Sequence, residues 1–174
     1  MANTDSAYGF APKGHILRIN PKDVLASYAT AIFKGDFVSA EAGGDVNASI
    51  ADDVTKLGAS MMYSAASTVA QASDGTALMV SDHPDQLYEA QDDGSAVPTM
   101  AIVGSAADNT IGAGSTTTLR SGHEIALSDL GQTDGGFVIL RAVDREDNDK
   151  TAVNCDWVVQ LNAGEGLLTL AASV

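Results

Sequence analysis

The chain has 174 residues, enough for one compact domain, and 45% of them are apolar, which excludes a disordered chain. Nine basic residues stand against 23 acidic ones, a net charge of −14 that repels nucleic acid and anionic membrane faces. That charge serves solubility, or it suits a salty habitat or a basic partner surface. Only 5% of the residues are aromatic. A core built from small side chains buries less apolar area per residue, so assembly would add to its stability. The single cysteine, Cys155, forms no internal disulfide and fits folding in a reducing compartment. Its neighbours Asn154, Asp156 and Trp157 suit a quiet, half-buried thiol. The N-terminus carries neither the basic nor the apolar region of a signal peptide, and no stretch has the roughly 18 apolar residues of a membrane helix.

Residues 1–14 read as an arm preceding a single β-rich domain at 15–174. Asn3, Thr4, Asp5, Ser6 and Gly9 favour irregular backbone, whereas Tyr8, Phe10 and Pro12 suit insertion into another surface. The segment is either a frayed terminus or an arm that orders on a partner. In the second case its removal leaves the body folded.

The body then divides into short segments. Residues 15–19 are a strand candidate, stopped by Asn20 and Pro21. Residues 31–33 and Phe37-Val38 flank a tight turn at Lys34-Gly35-Asp36. Residues 57–63, 77–80 and 87–91 are further candidates, the last closed by Asp92-Asp93-Gly94. Between Val97 and Asn109 the pattern fits a short helix or a strand. Residues 112–118 are a small-residue loop, and 124–127 a weak strand. Residues 137–143 and 157–162 are the strongest strands, joined through the polar run 144–150, and 167–170 would be a last one. Turn signals every 8–12 residues predict a mainly β fold, a small barrel or sandwich with at most one or two short helices.

The chemical motifs fail at named residues. His15, His83 and His123 have no metal-ligand spacing. Gly112, Gly114 and Ser115 lack the second glycine of a nucleophile elbow. The dinucleotide fingerprint fails at Thr117. The acidic run from Asp144 to Asp149 lacks the central glycine of a calcium loop, and reads as a solvated hairpin or a weak cation site. Asp52-Asp53 and Asp92-Asp93 read as turn residues, not as a general acid and base. No enzyme and no cofactor is expected. Small residues and threonines on exposed strands and loops lose little side-chain entropy on docking, which suits a protein lying flat on a large assembly.

Five segments, in order along most of the chain, carry a resemblance. Residues 7–15, with Tyr8, Gly9, Phe10, Pro12 and His15, form the first. Residues 27–38 follow, with Tyr28, Ala31, Phe33, Gly35, Asp36 and Val38. Then come 82–92, with Asp82, Pro84, Gln91 and Asp92, and the loop 112–122. Last are Val143, Asp144, Arg145 and Asn148, followed by Trp157, Val159 and Asn162. The whole resembles the small capsid decoration (cement) proteins of marine and related tailed bacteriophages. The chain departs where Leu119 replaces a glycine and Phe37 a proline, which predicts a different local shape for those loops.

The resemblance implies a structural virion protein, made in the host bacterial cytoplasm and placed on the outer capsid surface. Its partners would be the phage major capsid protein and copies of itself, as a homotrimer at three-fold or quasi-three-fold positions, with no nucleic acid and no membrane. Tyr8, Phe10, Lys13, His15 and Arg18 are the expected capsid contacts. The alternative is a soluble β-domain binding module, tail-associated and dependent on glycan or calcium.

Overall fold

Phe37 and Val38 are neighbours that face opposite ways, as successive strand residues must. Both are fully buried, in separate apolar clusters. Their strand is therefore covered on both sides, and the fold is organised around that fact. The computed structural model describes residues 3–41, 43–51, 53, 55–66, 77–131 and 135–162.

In chain order the strands are β1 (Ala11–Pro12), β2 (Asn20–Lys22), β3 (Phe37–Ala40), β4 (Val46–Ala48), β5 (Lys56–Ser60), β6 (Leu78–Ser81) and β7 (Leu87–Gln91). They continue with β8 (Ala106–Ala107), β9 (Asn109–Thr110), β10 (Glu124–Ile125), β11 (Phe137–Ala142) and β12 (Asp156–Leu161). One sheet runs β1-β7-β12-β11-β8 and a second β2-β6-β5-β3-β4, with β9 and β10 forming a small antiparallel pair. The strand pairings are antiparallel throughout. The only helical elements among the described residues are 3₁₀ turns at Met100–Ile102 and Leu127–Asp129. The expected mainly β fold is present, in a sandwich-like arrangement.

The larger core cluster lies between the two five-stranded sheets. It takes Phe37 and Ala59 from one, and Tyr88, Ala90, Phe137, Ile139, Trp157 and Val159 from the other. The second cluster covers the opposite face of the β3 sheet, where Val38, Val46, Leu78 and Val80 meet Val24 and Ile32. Leu140 is an extra residue in β11, since Ile139 pairs with Val159 but Arg141 with Val158. Such a bulge bends the strand and increases its twist.

Residues 31–33 hold only an isolated bridge, Ile32 opposite Ser64, in place of the expected strand. Two further expectations need correcting. Residues 15–19 form no strand. The Leu17 N–H goes to the Gln86 side chain, and Arg18 goes to Asp82, so this stretch has side-chain partners where a ladder was expected. The strand begins instead at Asn20-Pro21, where a stop was predicted. β2 lies at a sheet edge, the position that tolerates a proline.

The second correction concerns the arm. Residues 3–14 lie against the body. β1 pairs with β7, Ala11 opposite Glu89 and Pro12 opposite Tyr88. Phe10 has no exposed surface. Its ring stacks on Phe137, with centroids 4.5 Å apart, and meets Phe37 edge-on at 5.3 Å. An aromatic ring enclosed by two others is a core residue, so Phe10 is not an outward capsid contact. The predicted turn at residues 73–75 and the strand at 167–170 lie outside the described residues.

Candidate functional site

The N-terminal face is where the sequence placed its contacts, and its geometry begins with a turn at Gly9. Tyr8 and Phe10 sit two apart, a spacing that sends strand residues to one face. Gly9 adopts φ +74°, and the chain turns there, so that the Tyr8 hydroxyl stays outside while the Phe10 ring enters the core. Gly35, at φ +94°, lies against it. A Cβ on Gly9 would sit 2.5 Å from the Gly35 carbonyl oxygen, and one on Gly35 2.7 Å from the Tyr8 carbonyl oxygen. The Phe10 N–H donates to that Gly35 oxygen at 2.8 Å. Only two residues without side chains permit this approach.

Outside the turn, charged groups clamp the segment down. The Tyr8 hydroxyl donates to Asp156 at 3.0 Å and reaches Glu89 at 3.3 Å. Glu89 also accepts from Lys13 and Arg145, and Arg145 in turn pairs with Asp156 and Asp147. Burial would raise the Glu89 carboxyl, but Lys13 and Arg145 prevail and hold it below the usual range. Burial, together with Asp156 and Glu89, raises the Tyr8 hydroxyl far above its ordinary value, so it remains a neutral donor. Further out, the Asn3 amide donates to the carbonyls of Asp149 and Val153, and Gln91 takes the Ser6 N–H and donates to the Thr4 carbonyl.

The five expected contacts therefore divide. Phe10 is core, Tyr8 is half-buried within the clamp, and Lys13 pairs with Glu89. Arg18 pairs with Asp82 while remaining part-exposed, and His15 is exposed. The structure does not gather them into one outward patch.

Three buried polar residues escaped the sequence reading. Asp92, read as a turn residue, is fully enclosed. Its carboxylate accepts from the backbone N–H groups of Gly94, Asn154 and Cys155 and from the Trp157 indole. Lys56 is buried with its ammonium on the carbonyls of Ala51 and Asp53 and, at 3.3 Å, on Asp108. His123 is buried beside Asp36, its Nε2 3.5 Å from the carboxylate, and burial lowers its pKa. Charged side chains are ordinarily read as surface, and each of these has at least one partner from a distant part of the chain.

The remaining chemical candidates hold no assembled machinery. Cys155 is buried, and burial pushes its thiol up to about 12. In the acidic run, Asp144 pairs with Lys150 and Asp147 with Arg145. Among the described residues no three His, Cys, Asp or Glu side chains converge as a metal site would require. None of the described helices is long and apolar enough to cross a membrane.

The loop around Leu119 extends from the same face. Leu119 has φ +56°, a left-handed conformation that glycine adopts without strain. No family model, curated protein or solved structure matches the chain.

Proposed function

We propose that this chain is a structural virion protein that decorates a tailed-phage capsid, binding the outer surface of the major capsid subunits and bridging neighbours. The observation that carries the reading is a convergence. Three of the segments that resemble the decoration family, at 7–15, 27–38 and 112–122, meet at one point. There Gly9 packs on Gly35 and against Ser121, Lys34 donates to the Leu119 carbonyl, and Ser121 donates to the Lys34 carbonyl. Residues shared with a family for the sake of its fold are expected to cluster in this way. Leu119 adds support, holding a left-handed backbone at the position of that family's glycine.

In this reading no residue performs chemistry. Each copy makes modest contacts through exposed loops, and repetition over the lattice, with self-association as a homotrimer, supplies the avidity. The acidity is what an outward surface tolerates. The test is mechanical: shells of the source phage are heated with and without the purified protein. Decoration raises the temperature at which packaged DNA is released. An unchanged release temperature at saturating protein would count against the reading.

A further inference from the structure

Of the nine basic side chains, Lys13, Arg18, Lys22, Lys56, Arg145 and Lys150 each lie within 4 Å of a carboxylate. Arg141 acts on Asp144 from a longer distance. Among the described residues Lys34 and Arg120 have no such carboxylate, although acids outnumber bases more than two to one. They also stand opposite each other across a parallel bridge, an arrangement in which like charges repel. Both are exposed, and both line the same cleft of about 270 Å³. Its remaining wall is largely apolar, with Pro12, Met61 and Ile16, the last 38% exposed.

We infer that this cleft is a docking site for an acidic segment of a partner protein, an apolar side chain in the cavity and flanking carboxylates on Lys34 and Arg120. Two unneutralised cations side by side are stabilised by an anionic occupant. A simple anion would leave Ile16 and Met61 uncovered. Nucleic acid carries a phosphate at every nucleotide and finds only two cations here. An acidic segment with an apolar anchor satisfies both the charge and the wall. The inference stands on the cleft alone and does not depend on the capsid reading.

The test uses the full chain and a synthetic peptide with a central leucine and two acidic residues on each side, titrated at low salt by NMR. The expected result is a shift of the Ile16 methyl and Arg120 side-chain signals, weakening as salt rises. Lys34→Glu with Arg120→Glu, both exposed and outside the two core clusters, should keep the wild-type melting temperature and bind about tenfold more weakly. A glycine-centred or amide-neutralised peptide should also bind several-fold more weakly. Equal shifts with inorganic phosphate, or a glycine-centred peptide as tight as the leucine one, would overturn the inference. So would tighter binding of a single-stranded oligonucleotide, or a silent Ile16. Sedimentation covers the remaining occupant: self-association of the wild type that the double variant abolishes would assign the cleft to a second copy and overturn it as well.

Discussion

Phe10 stacks on Phe137 with ring centroids 4.5 Å apart and planes 15° from parallel. One residue comes from the tenth position of the chain and the other from the second-last described strand, so the N-terminal segment is part of the fold's long-range closure. Phe37 stands perpendicular to Phe137 at 4.8 Å and completes the cluster. Truncating a buried ring costs about 3–5 kcal/mol, a large part of the roughly 5–15 kcal/mol that holds a domain together. Phe10→Ala should lower the urea midpoint accordingly, and removal of residues 1–14 should leave a chain without a cooperative transition. A truncated protein melting near the wild type would show that the segment is an appendage after all.

Gly35 allows a comparison that separates close approach from backbone strain. Gly35 and Gly44 have nearly the same φ, +94° and +91°, but a Cβ on Gly44 meets nothing within 4 Å. Gly44→Ala should cost only the left-handed penalty of about 1 kcal/mol. Gly35→Ala adds a clash with the Tyr8 carbonyl and should cost clearly more. Equal losses in thermal melts would remove the Gly9–Gly35 contact from the account.

Leu119 is 42% exposed, so shortening it sacrifices little burial. Its left-handed backbone costs roughly 1–2 kcal/mol in an L-residue, against about 0.5–1 kcal/mol for glycine's looser unfolded chain. Leu119→Gly should therefore be neutral to stabilising by about 1 kcal/mol. A clear loss of stability would mean the side chain makes a contact that outweighs the strain.

Asp92 holds four N–H donors on two carboxylate oxygens. A carboxamide in its place would turn an NH₂ towards two of those donors. Asp92→Asn should destabilise by about 2–3 kcal/mol, the scale for stranding buried polar groups. The Trp157 fluorescence should report the change, because its indole loses a charged acceptor. A variant that melts with the wild type would show that the carboxylate's charge is not needed there.

Glu124 gives a pH dependence of known sign. Burial first, then the negative charges of Asp5, Asp93 and Asp92, raise its carboxyl from 4.5 to about 7. Between those values the folded state binds the extra proton, so this group's contribution to stability falls as pH rises from about 4.5 to 7. Glu124→Gln should raise the melting temperature at pH 8 and change it little near pH 4. A gain that is the same at both pH values would show that the carboxyl is not held up by its surroundings.

What the sequence disclosed follows from where each residue's partner lies. The strands at Phe137 and Trp157 were legible because continuous apolar runs bounded by turn residues report a buried strand by themselves. The stretch at 15–19 has a similar composition but finds Gln86 and Asp82 side chains instead of a neighbouring strand, which local pattern does not record. Phe10 was misplaced because glycine and small polar residues around it describe the backbone and say nothing of a ring reaching across the fold. Asp92 was misread for a similar reason. Its turn with Gly94 is local, but three of its donors lie more than sixty residues away. The expected contacts His15 and Arg18 were found at the surface, whereas Lys34 and Arg120 stand out only once the carboxylate partners of the other bases are known.

The capsid reading is tested most directly by counting. Quantitative mass spectrometry of purified source virions gives the ratio of this chain to the major capsid protein. The account predicts a ratio fixed by the lattice, with the chain present at a constant fraction of the capsid subunits and released from the outer surface while the shell stays intact. A few copies per particle, as a tail component would give, or none above background, would contradict it.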